Sequence, residues 1–75
     1  MDNVKSANVG EFVEIAHKIY SHIEFSQDSD GFTFGCRIRR SGRMNYPSAP
    51  RGEVKYWRTL KGAKKYALTT FLATK

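Results

Sequence analysis

The sequence predicts an α+β domain of order α-β-β-β-α, a three-stranded antiparallel sheet with two helices packed on one face. Three observations carry this. A helical apolar period occurs near each end of the chain, a two-residue alternation occupies the middle, and 75 residues at 40% apolar content allow one small core. The chain reads as one domain spanning residues 1–75, with 1–7 expected to be flexible.

Residues 9–21 carry the first helical period. Phe12, Ile15, Ala16, Ile19 and Ile23 follow the i, i+3, i+4 rhythm of one buried stripe, while Glu14, Lys18 and Ser21 fall opposite. Asn8 followed by Glu11 has capping-box spacing. The period then changes: Ile23 and Phe25 alternate with Glu24 and Ser26, predicting a strand over 22–27. Asp28-Ser29-Asp30-Gly31 is a turn sequence, with Gly31 suited to positive φ. The next strand, 31–39, puts Phe32, Phe34, Cys36 and Ile38 on one face and Thr33, Gly35, Arg37 and Arg39 on the other.

Residues 40–52 contain Ser41-Gly42, Pro47, Pro50 and Gly52, which predicts a loop long enough to suspect function. Within it, Met44 and Tyr46 either extend a strand briefly or cover the core. A third strand is predicted over 53–58, where Val54 and Tyr56 alternate with Lys55 and Trp57. Thr59 is an N-cap candidate for a final helix over 60–73, whose main apolar face is Leu60, Ala63, Ala67 and Phe71.

The charges are polarised along the chain. Residues 1–31 hold two positive against six negative side chains, a net of −4; residues 32–75 hold eleven against one, a net of +10. The whole carries a formal +6, which favours an anionic partner: nucleic acid, or an acidic protein or nucleoprotein surface. On the wet face of the sheet, Arg37 and Arg39 point the same way from the central strand. Lys55 and Trp57 join them if the third strand pairs there, with Arg40, Arg43, Arg51 and Arg58 extending the field. Arg grips phosphate bidentately and an indole stacks on a base. Trp57 also has a core reading, the better founded of the two, since the lone Trp of a small domain is usually largely buried. Lys61, Lys64 and Lys65 open the final helix, where their charge opposes the helix dipole and suits a second anion contact.

Other classes find little support. No apolar run reaches the roughly 20 residues of a membrane span. The polar N-terminus argues against a signal peptide, so the expected location is cytoplasmic. One cysteine and two histidines make a poor metal set, and no metal or cofactor is expected. His17 and His22 do not face each other at helical spacing, Cys36 lies on an apolar strand face, and Asp28 and Asp30 sit in a turn. No Gly-rich phosphate loop occurs, and no catalytic residue is assigned.

Lys61-Gly62-Ala63-Lys64-Lys65, at the start of the last helix of an α-β-β-β-α order, resembles the double-stranded-RNA-binding domain, which implies phosphate contacts by Lys61, Lys64 and Lys65. Where that family has a Gly-Pro-x-His loop, this chain has Asp28-Ser29-Asp30-Gly31. Trp57-Arg58-Thr59-Leu60-Lys61-Gly62-Ala63, following three strands, resembles the arm-binding domain of tyrosine recombinases and related plant DNA-binding domains. That resemblance implies a sheet laid into the major groove, with Arg37, Arg39, Lys55 and Trp57 at the DNA. In size and type the chain is also similar to small accessory proteins of bacteriophages, anti-CRISPR proteins among them, which occupy a partner's surface. The resulting expectation is a non-enzymatic nucleic-acid-binding domain, with a small protein inhibitor or adaptor as the alternative.

Overall fold

The computed structural model describes residues 2–47, 52 and 54–73. Its elements are a helical turn α1 (Asp2–Lys5), strands β1 (Phe12–Glu14), β2 (His22–Gln27), β3 (Phe34–Arg40) and β4 (Arg43–Asn45), and helix α2 (Leu60–Tyr66). A π-helical stretch, Ala67–Phe71, continues α2. The class is α+β, and the sheet is antiparallel with four strands rather than three, in the order β1-β2-β3-β4.

The β2–β3 hairpin matches its alternation. Ile23 pairs with Ile38 and Phe25 with Cys36, and all four are buried. The turn between them is held by its acids. Asp28 accepts from the Ser29 backbone N–H at 2.8 Å and the Thr33 hydroxyl at 3.0 Å, and Asp30 accepts from the Phe32 N–H at 2.8 Å. Gly31 takes φ +77 there. Phe32, assigned to the apolar face by alternation, precedes the ladder and is exposed.

Residues 9–21 are not the predicted helix. Gly10, at φ +82, turns the chain and donates its N–H to the Phe25 carbonyl at 2.9 Å. Phe12–Glu14 then pairs with β2, so Val13 and Ile15 turn inward while Phe12 and Glu14 turn outward and Ala16 is exposed. Apolar spacing this short satisfies both periods. The free edge of β2 decides between them, because unpaired ladder groups favour an added strand. Residues 15–21 close the hairpin around His17. Its Nδ1 accepts from the backbone N–H groups of Ile19 and Tyr20 at 3.1 and 3.3 Å, and its Nε2 lies 2.6 Å from the Leu72 carbonyl. In the segment expected to be flexible, Val4 and Ala7 are buried in the core.

The third strand over 53–58 is also absent as such. Ser41-Gly42, with φ +51 and +81, forms a two-residue hairpin turn of the primed kind, and β4 takes the edge of β3 opposite β2. Only the Phe34 end of that edge is left, and Trp57 pairs with it as a single bridge, N–H to carbonyl at 2.9 and 2.7 Å. Glu53 lies outside the described residues.

The final helix begins as predicted. The Thr59 hydroxyl accepts from the Gly62 N–H at 3.0 Å. After Tyr66 the helix widens: the Thr69 hydroxyl donates to the Lys65 carbonyl at 2.7 Å, and the Leu72 N–H reaches the Ala67 carbonyl at 2.8 Å. A side-chain hydroxyl competing for an i−4 carbonyl favours this local loosening. Ala63, Ala67 and Leu72 close the core with Val4 over the inner sheet face. No helix among the described residues is long and apolar enough to cross a membrane.

Candidate nucleic-acid interface

Antiparallel register puts directly paired side chains on one face. The outer face therefore carries three cross-strand rows. The first is Glu14, His22, Arg39 and Met44. The second is Phe12, Glu24 and Arg37, and the third is Ser26 and Gly35. Tyr46, one residue past β4, extends the second row, and Tyr56 covers the third.

Arg37 and Arg39 share this face as the alternation predicts, but neither is a free arm. Arg37 forms an ion pair with Glu24 and a side-chain hydrogen bond with Tyr46. The Tyr46 contact first, then Glu24, pushes the guanidinium pKa further above its ordinary value. The Arg39 guanidinium carbon lies 5.0 Å from the centre of the Phe12 ring, and Phe12 stacks on His22 with ring centres 5.0 Å apart. The Arg39 Nε is buried and has no hydrogen-bond partner among the described residues.

Gly35 seats the third ring. A Cβ built there would meet the Tyr56 ring at 3.2 Å and the Ser26 hydroxyl at 3.0 Å, so the absent side chain lets the Tyr56 ring approach the strand closely. Tyr56 remains 58% exposed, Tyr46 46% and Phe12 37%, and together these rings make the face aromatic.

Lys55 and Trp57 do not join this face. Trp57 pairs with inward-facing Phe34, packs beside the core and meets Tyr66 at 5.1 Å between ring centres. Lys55 lies 5.1 Å from the centre of the Tyr66 ring. The one-residue parity of a strand puts Tyr56 outside in their place.

The remaining basic residues are divided. Arg40 and Arg43 face each other across the exposed tip of the β3–β4 hairpin, where they line a hollow with Ser41 and Asn45. Arg58 is exposed just before α2. Lys61, Lys64 and Lys65 lie on the helical side, around a hollow of about 330 Å³ shared with Lys5 and floored by Leu68. Lys64 is engaged there, donating to the Lys5 carbonyl at 2.8 Å. Arg51 lies outside the described residues. Among the described residues Arg37–Glu24 is the one ion pair.

The sequence reading missed Phe12, Tyr46 and Tyr56. One signal for Tyr46 was present. Counting back from a two-residue turn at Ser41-Gly42 places it opposite Arg37.

Among the described residues, no three His, Cys, Asp or Glu side chains cluster as a metal set. Cys36 is buried and free, and burial pushes its thiol up to about 12. Fold and face define a small α+β domain in which one side of a four-stranded antiparallel sheet is left uncovered among the described residues and is lined with arginines and rings. No protein-family model, curated protein or solved structure matches the chain.

Proposed function

We propose that the chain is a non-enzymatic nucleic-acid-binding domain that uses the outer face of its sheet. The observation that supports this reading is the joining of Arg37 and Arg39 with three exposed aromatic rings on one face of the sheet. A formal charge of +6 adds a long-range attraction for phosphate. Arg40 and Arg43 pair in a row of the opposite parity, beyond Ile38–Asn45 at the hairpin tip, and add to the positive field from there. The lysines beside α2 strengthen the field from the other side of the domain, so that encounter is attractive from several directions.

The test is a salt titration of binding to labelled oligonucleotides, single-stranded and duplex, of about 20 nucleotides. Affinity should fall linearly on log–log axes, by about 0.7 per single-strand phosphate neutralised and about 0.9 per duplex phosphate. Failure of both nucleic acids to bind at about 50 mM salt overturns the reading and leaves an acidic protein surface as the partner to pursue.

A further inference from the structure

The contacts made by the outer-face side chains say more than their charge. Groove-reading arginines must project freely to reach base edges. Here Arg37 is drawn sideways by Glu24 and Tyr46, and Arg39 lies over the Phe12 ring with its Nε buried. Tyr56 is seated on Gly35. What the face offers a ligand is a set of planar groups, guanidinium and aromatic, gathered on one side of the sheet. Planes recognise planes, and a duplex hides the faces of its bases within its own stack. An unpaired strand exposes them.

We propose that the outer face binds single-stranded nucleic acid by base stacking, with Phe12, Tyr46 and Tyr56 as the stacking residues and Arg39 as a cationic plane beside them. This rests on the nucleic-acid reading above and narrows it to one strand state. Tyr46 and Tyr56 belong to neighbouring rows beside β3, separated by two residues, about 6.8 Å along a strand, while Phe12 stands at the far end of the Tyr46 row. Two successive unpaired bases can therefore find platforms at Tyr46 and Tyr56. Stacking tolerates any base, so the expected preference is for strand state and not for sequence. DNA and RNA share this chemistry.

The experiment compares fluorescein-labelled oligo(dT) and oligo(rU) of about 12 nucleotides with a mixed-sequence duplex of equal length, by anisotropy at fixed salt. Single strands should bind at least about tenfold more tightly than the duplex. Tyr56→Ala should weaken single-strand binding by about 5- to 150-fold, the loss of one base stack, while leaving the salt slope unchanged. Tyr56→Phe keeps the ring and should bind like the wild type, and Tyr46→Ala repeats the test at a second exposed site. Circular dichroism confirms that each variant is folded. Duplex binding as tight as single-strand binding, or Tyr56→Ala and Tyr46→Ala variants that bind like the wild type, overturns the stacking proposal while the nucleic-acid reading stands. Absence of binding to all three probes ends both. A preference between oligo(dT) and oligo(rU) assigns the natural strand chemistry within the proposal.

Discussion

His17 shows how one side chain can organise a loop. Its Nδ1 accepts two backbone N–H groups of the β1–β2 connection, so that nitrogen carries no proton, and Nε2–H donates to the Leu72 carbonyl. The ring thus joins the loop to the C-terminal helix 55 residues away. Replacing it by alanine leaves three partly buried backbone groups without that partner. His17→Ala should lower unfolding stability by about 1–3 kcal/mol, read by urea denaturation. A variant as stable as the wild type would show that water replaces the imidazole at no cost. Cys36 offers a second test. Burial raises its thiol from 9.0 to about 12, so the unfolded chain releases this proton at lower pH than the folded chain does. Stability from this group is therefore full below about pH 9 and is lost as pH rises toward 12. At pH 8 the native thiol should react with a thiol reagent far more slowly than in the urea-unfolded chain. Equal rates would mean that Cys36 is accessible in the native state.

At the scale of the element, each boundary has an identifiable cause. Thr59 starts α2 with a side-chain cap, and Thr59→Ala should cost about 1 kcal/mol, measurable as a lowered melting temperature. Lys61 in the first turn gains nothing from the dipole and no acid stands there, so this cap carries more of the start of the helix than it would beside an acidic first turn. The β3–β4 hairpin places Arg40 opposite Arg43, a like-charge pair that works against the turn. Ser41 and Gly42 supply the two positive φ values that hold it closed. A site for an anion at that tip would relieve the repulsion.

Across the whole molecule, the charge asymmetry of the chain does not survive folding intact. β2 comes from the acidic part of the sequence and β3 from the basic part, and their pairing sets Glu24 beside Arg37 in the middle of the outer face. The Glu24 side chain is only 16% exposed there, so its charge is held close to any bound phosphate and opposes it. Glu24→Gln should keep a hydrogen-bonding partner for Arg37 while removing that negative charge. Single-strand affinity should rise, by about five- to tenfold at low salt, with the gain shrinking as salt increases. Unchanged affinity would place bound phosphate away from this row of the sheet.

Local chemistry was legible wherever neighbours in sequence were also partners in space. The β2–β3 alternation, the Asp28–Gly31 turn, the inward Cys36 with the outward Arg37 and Arg39, and the Thr59 cap all depend on residues a few positions apart, and each is found in place. The α+β class was determined by the same local periods. Long-range competition decided the rest. Residues 9–21 satisfied a helical period and a strand period alike, and the open edge of β2, which no local window contains, selected the strand. β4 takes the far edge of β3 through the short Ser41-Gly42 turn, leaving the predicted third strand a bridge to β3 at Trp57. That bridge set the parity that turned Lys55 and Trp57 toward the helix and Tyr56 onto the open face. Period and turn chemistry are properties of a short stretch of chain, whereas the occupant of a sheet edge depends on which distant strand can pair there with its apolar face turned to the core.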